Sequence, residues 1–435
     1  MSTADPISFI HTLRWQDLPA RARTMMKLSL LDLLGIAAAA RVTRLTEIIA
    51  AHASAQFGGA HPMLFDARTA SPAGVALAAG MRIDSLDGHD GFNPAKGHIG
   101  CPLLPAILAL APENLSGEAF LATLAMGYEF GARAAIAQHA TAPDYHTSGS
   151  WGAVTAAAAG ARLLRLDHET TRHALGIAEY HGPRSQMMRC IDHPTMVKDG
   201  SGWGSMAGTS AALLAQSGFT GAPSLITEAY PEHWADLGQR WYALEQYYKP
   251  YPVCRWAQAP IEGVLALKRA HNLASTDVAA IEIETFHESV RLATAAPTLT
   301  DAAQYSTSFP CAIALVHGDV RPEHLADDAL GDPETLRLSR ATTMREHDHA
   351  NAAFPLRRYA RTTLTLQDGT RLTSGWMEPR WDHTAPPTPE ELRAKFHSLS
   401  DPALGETRAT AIEAAIDALE ETPLTALTSL LHAPA

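Results

Sequence analysis

Cysteine is scarce in this 435-residue chain, and the four that occur, Cys101, Cys190, Cys254 and Cys311, form no CxxC pair. That spacing offers neither a zinc ribbon nor a disulfide framework, so reduced thiols are expected. Long apolar runs are missing as well. No stretch reaches the length that spans a bilayer, and the opening MSTADPISFIHTLRW lacks a basic region followed by an apolar one. The expectation is a soluble, cytoplasmic protein. Blocks of positive charge are also absent. With a formal net charge of −12 and no Lys/Arg run, the chain has no surface for neutralising phosphates, which argues against nucleic acid as a partner. A small anionic substrate stays compatible, because a few cations converging in a pocket outweigh distant surface charge. Finally, GxGxxG, GxSxG and P-loop motifs are lacking, which weakens the nucleotide-binding and serine-hydrolase classes.

What is present is alanine and helical periodicity. A composition of 46% hydrophobic and 18% charged residues fits a closely packed globular chain with a helical bias. ARARTMMKLSLLDLLGIAAAA, from Ala20, reads as an amphipathic helix that becomes fully buried, and SPAGVALAAGMRIDSLD as another. SWGAVTAAAAGARLLRL and GWGSMAGTSAALLAQSGF follow, rich in the small residues that let helix axes approach closely. Near Trp241 the texture turns aromatic and proline-broken, a plausible domain boundary. Beyond it VAAIEIETF alternates like a strand, and YARTTLTLQDGTRLTSGW is two alternating segments around Asp368-Gly369, a strong hairpin signal. Thr388, with Glu391 three residues on, marks a further helix start. The expected fold is mainly α: a large all-helical domain over residues 1–249, an inserted smaller α+β lid domain over 250–387, and C-terminal helices over 388–435 that return to the first domain.

Polar knots interrupt these elements. The first, DSLDGHDGFNPAKGHIG, gathers Asp84, Asp87, His89, Asp90, Lys96 and His98 ahead of an apolar helix. The others carry His146, then Arg184 and Lys198, then Lys249 and Arg255. Taken singly, each has an ordinary reading: Asp87 or Asp90 as a cap, His146 as a satisfied interface histidine, Lys198 and Lys249 as solvated, Arg184 and Arg255 as ion-pair partners. His89, Asp90 and His98 include metal-ligand types, but the histidines do not lie one turn apart on a helix and the segment is a glycine-rich loop, so no metal is assigned. Knots at helix starts do favour carboxylate recognition, since free N–H groups and the positive dipole end point there.

Read in order, the segments SLLDLLGIAAAA, the Asp-rich loop ending in His98 before PLLPAILAL, YHTSGSWGAVTAAAA, MVKDGSGWGSMAGTSAALLAQSGFTG, YKPYPVCRWAQAPIE, AQYSTSFPCAIALVHGD and EELRAKF resemble the 2-methylcitrate dehydratase (MmgE/PrpD) family. That family includes cis-aconitate decarboxylase and iminodisuccinate epimerase. The resemblance implies a helical domain with an inserted lid and a cleft active site, a homodimer, no metal or organic cofactor, and a small di- or tricarboxylate substrate. Matched by motif, the implied site residues are Asp90, His98, His146, Lys198 and Lys249, with Tyr305 and Ser306 from the lid. Asp87-Gly88-His89-Asp90 stands where members commonly carry Asp-Phe-Asp-Asp.

The chemistry suits the residue types. Taking a proton next to a carboxylate creates an aci-carboxylate, which needs a base and cationic or N–H donors aimed at the new charge. His98 or His146 can act as base or acid near neutral pH. Lys198, Lys249, Arg184 or Arg255 can hold carboxylates, and Asp90 can orient a histidine or accept a substrate hydroxyl. Loss of a β-hydroxyl, reprotonation on the other face, or decarboxylation are the possible outcomes. A cofactor-independent dehydratase is the leading expectation, an epimerase or decarboxylase the alternatives, and a non-catalytic carboxylate-binding protein the reading from another class.

Overall fold

The computed structural model describes residues 5–142 and 144–432; residues 1–4, 143 and 433–435 of the ranges expected above lie outside it. Helices take up 59% and strands 9%, so the fold is mainly α. The helices that frame the site are α1 (Ala20–Ala39), α2 (Pro72–Asp84), α3 (Gly100–Leu110), α4 (Gly117–Thr141), α5 (Ser148–Leu163) and α6 (Ser201–Gln216). From Leu28 onward every residue of α1 is buried, as a helix apolar on all sides must be when others surround it. No helix of the described residues is long and apolar enough to cross a membrane.

Glycine sets the closest crossings. A Cβ on Gly80 of α2 would stand 2.6 Å from Cα of Gly202 on α6, and one on Gly208 of α6 would stand 2.2 Å from the carbonyl oxygen of Ala153 on α5. Only glycine tolerates that approach. As a result the end of α2, the start of α5 and the start of α6 meet, and three polar knots meet with them.

A second hydrophobic cluster, running from Tyr251 to Leu364, holds the sheet. Here α7 (Arg255–His271) and α8 (Ser308–His317) pack with β1 (Val278–Thr285), β2 (Thr342–Glu346), β3 (Arg361–Leu366) and β4 (Arg371–Thr373). The strand order is β2-β1-β3-β4, with β1 parallel to β2 and the other pairs antiparallel. β1 and β4 form where alternation places them, and Gly369 takes the left-handed turn position at φ +87°. β2 had no readable signal, because TTMRE is short, mostly polar and nowhere fully buried.

After the sheet the chain returns. In α9 (Pro389–Leu404) the Thr388 side chain accepts from the Glu391 N–H, and Glu391 accepts from the Thr388 N–H in turn. α9 packs on α1, with Phe396 filling the space beside Gly35. Leu392, Phe396 and Leu399 belong to the same hydrophobic cluster as α1 through α6.

One ion pair lies inside this packing. Lys395 Nζ donates to Asp32 Oδ1 at 2.5 Å and to the carbonyl of Gly88 at 2.7 Å, and all three residues are buried. Asp32→Ala strips a buried ammonium of its counter-charge, a change that typically costs about 3–5 kcal/mol. The variant is expected to show a clearly lower first unfolding transition in calorimetry. An unchanged transition would mean the pair contributes nothing.

Candidate active site

The segment from Ser85 to Ile99 folds back as a loop sealed by a two-residue ribbon, Gly91–Phe92 pairing antiparallel with Gln246–Tyr247. That ribbon carries Lys249 to the loop. Its Nζ donates to Oδ1 of Asp87 at 2.5 Å and to the Asp87 carbonyl at 2.7 Å. Asp87, Lys96 and Lys198 are non-glycine residues at φ +41°, +51° and +50°, in the left-handed region that costs energy unless the surroundings impose it. For Asp87 the Lys249 ammonium imposes it. Lys198 is held by hydrogen bonding to Gln304 and by Asp301 at 3.4 Å.

His98 is fixed from three sides. Its N–H donates to Ser148 Oγ (3.0 Å), its carbonyl accepts from Trp151 Nε1 (3.3 Å), and its Nδ1 lies 2.6 Å from the Asp90 carbonyl. A carbonyl only accepts, so Nδ1 carries the proton and Nε2 offers a lone pair. Nε2 stands 3.5 Å from Asp87 Oδ1 and 3.6 Å from Asp199 Oδ2, beyond hydrogen-bond length. Burial, with His89 and Lys249 close by, pulls the His98 imidazole down to about 4, against the opposing pull of Asp199 and Asp87. A neutral imidazole with a free Nε2 is the ground state at neutral pH.

Across from it, Asp199 accepts from Tyr305 OH (2.9 Å) and from Ser148 Oγ (3.0 Å). Burial and the nearby Asp84 raise the Asp199 carboxyl to about 6. Burial would raise Asp87 too, but Lys249 and His98 outweigh it and hold that carboxyl below its usual range.

These groups line one cavity with four cationic side chains, Lys96, Lys249, Arg255 and Arg358, against two carboxylates, Asp87 and Asp199. The local sign is therefore positive in a chain of net charge −12. About 30 Å³ is free inside, room for one or two waters.

Among the described residues two donor groups come close enough to share a metal, Asp87 with His89 and His98, and Asp84 with His89 and Cys101. In the first, the Lys249 ammonium already sits on Asp87, and a metal would have to displace it. In the second, His89 Nε2 faces Asp84 Oδ1 at 3.6 Å, and burial favours the neutral form of both.

The two halves of the chain match two family models, the MmgE/PrpD N-terminal domain over residues 7–234 and the MmgE/PrpD C-terminal domain over residues 251–421. The chain belongs to the MmgE/PrpD family. Its curated relatives include a cis-aconitate decarboxylase of Aspergillus terreus (strain NIH 2624 / FGSC A1156), 23% identical over 99% of this chain and 96% of the relative. The cis-aconitate decarboxylase-like protein oryM of Aspergillus oryzae (strain ATCC 42149 / RIB 40) is 23% identical over 81% of this chain and 80% of its own.

Within this MmgE/PrpD chain, the expected residues divide. His98, Lys249, Arg255 and Tyr305 share the cavity. Lys198 lies one layer behind, with Nζ 5.1 Å from the Tyr305 ring centre. The Asp90 carboxylate turns away and accepts from Tyr128 OH at 2.5 Å, so Asp90 orients His98 through its backbone carbonyl. His146 bonds through Nδ1 to the Asp144 carbonyl, and its neighbour Tyr145 takes the place on the wall. Arg184 is exposed. The Ser306 hydroxyl donates to the Thr294 carbonyl and accepts from the Phe309 N–H at the start of α8. Asp199 and Arg358 were missed. Asp199 follows Lys198 directly in VKDGSGWG, which was the one available signal.

Histidine-selective nitrogen NMR is expected to show His98 neutral and protonated at Nδ1 from pH 8 to below pH 5.5. Asp87→Asn removes a carboxylate that favours the imidazolium, so the titration moves lower still. A midpoint near 6.5 would contradict this geometry.

Proposed function

We propose that this chain is a lyase acting on a small di- or tricarboxylate by moving a proton next to a carboxylate, and that its reaction is a dehydration. The observation that carries this reading is the unprotonated Nε2 of His98, held in a cavity with more cations than carboxylates. A resting base suits proton abstraction; protonating a carbanion left by carbon dioxide loss calls for a resting acid.

In this scheme Lys249 holds the substrate carboxylate next to the reacting carbon. His98 Nε2 takes the α-proton, the electron pair moves into the adjacent carboxylate, and the cations stabilise that charge. The β-carbon–oxygen bond then breaks. Hydroxide leaves as water with a proton from Tyr305 or from the Asp199 carboxyl, both within the same hydrogen-bonded pair. Burial keeps the Tyr305 phenol well above its ordinary value, so it remains a proton donor.

Decarboxylation is the second reading, because the relatives aligned over nearly the whole chain are named cis-aconitate decarboxylase. The two separate in one experiment. Purified protein is incubated in deuterated water with citrate, 2-methylcitrate, malate, tartrate and cis-aconitate, and followed by proton NMR. Loss of hydroxyl with formation of an alkene, accompanied by deuterium exchange at the α-carbon of the remaining substrate, is the expected result; carbon dioxide release without prior exchange would replace dehydration with decarboxylation. Silence across the panel would favour a binding protein.

His98→Ala is expected to lower turnover by roughly 10²–10⁴-fold with the fold intact by circular dichroism. Because the base must be neutral and its imidazole is held at about 4, kcat/KM falls only as pH drops well below 6.5. Wild-type rates in the variant would sink the assignment.

A further inference from the structure

Arg358 lies three residues before the start of β3 and is 4% exposed, yet among the described residues no carboxylate comes within 4 Å of its guanidinium. Its described hydrogen bond is a single one, from Nη1 to Asn93 Oδ1 at 2.7 Å. Arg358 Nε is buried with no acceptor, and so is Arg255 Nε; among the described residues these are the two buried guanidinium Nε–H groups left in that state. Sealing an unpaired guanidinium away from water is expensive unless an anion completes it.

Its position says where that anion goes. Arg255 and Arg358 line the small inner cavity with His98, and both also line an outer cavity of about 620 Å³. They form the partition between the two. Neighbouring arginines of the outer cavity are already committed, Arg357 to Glu378 and Arg380 to Glu262 at 2.7 Å. Arg255 is partly committed, with Nη2 on Asp382 at 2.9 Å. Arg358 therefore has the most unspent donor capacity, in a planar fork that matches a carboxylate.

We propose that Arg358, assisted by Arg255, is the subsite for the substrate carboxylate farthest from the reacting carbon, and so selects polycarboxylates over monocarboxylates. This rests on the polycarboxylate lyase reading above. Lys249 lies on the Asp87 side of the same cavity and holds the carboxylate next to the reacting carbon, while Arg358 holds the far end at the partition.

The test is calorimetric titration of the full chain with citrate, cis-aconitate and, as a monocarboxylate control, crotonate, at fixed ionic strength. Arg358→Gln is expected to weaken tricarboxylate binding at least tenfold and leave crotonate unchanged, with Arg358→Lys recovering part of the loss. A purely structural arginine would show otherwise: its removal would lower the melting temperature of the free protein and leave citrate affinity alone, and that result overturns the proposal. Equal weakening for crotonate also overturns it. If the wild-type chain turns over a polycarboxylate while Arg358→Gln keeps its KM, the subsite falls and the lyase reading stands. If the wild-type chain neither binds nor converts any polycarboxylate, both fall.

Discussion

Two buried ammonium groups hold the loop from Ser85 to Ile99, and the rest of the candidate site depends on them. Lys395, from α9, ties Gly88 to Asp32 on α1, while Lys249 ties Asp87 from the other side. They come from segments about 146 residues apart, so the loop between Ser85 and Ile99 takes its shape only when both ends of the helical core are assembled. A glycine-bearing loop with a left-handed aspartate would otherwise sample many conformers. The same clamps place the Asp90 carbonyl under the His98 ring, which selects its tautomer.

Burial does the electrostatic work. In water His98 would be half-protonated near neutral pH and Asp199 fully ionised; sealed together, the histidine is neutral and the carboxyl is raised toward neutrality. The histidine and the carboxyl are thus set apart in protonation by their surroundings rather than by residue type. The cavity wall carries more cations than carboxylates, the reverse of the acidic balance of the whole chain.

The helices were legible because their signals are local. Ser71 before α2, Thr388 before α9 and the all-apolar run of α1 each declare themselves within a few residues. The Asp368-Gly369 hairpin did the same through its turn chemistry. The site was legible only in part. His98, Lys249 and Tyr305 stood out by motif order and Arg255 as a cation in a polar knot, but His146 and Tyr145 differ by one position, and which of the two faces the cavity depends on how the chain enters α5. Arg358 sits in FPLRRYAR beside Arg357, and nothing local says that one pairs with Glu378 while the other is buried with no carboxylate partner among the described residues.

The sequence by itself determined the helical class, the order of the elements, the hairpin and the family to which the chain belongs, since propensity, capping and motif order act over short distances along the chain. The tertiary structure alone decided that Asp87 and Asp199 face His98, that Asp90 works through its carbonyl, and that Arg255 and Arg358 stand between two cavities. Those outcomes depend on the glycine-limited crossings of α2, α5 and α6 and on which charges lose their water together, and both are properties of residues far apart in sequence.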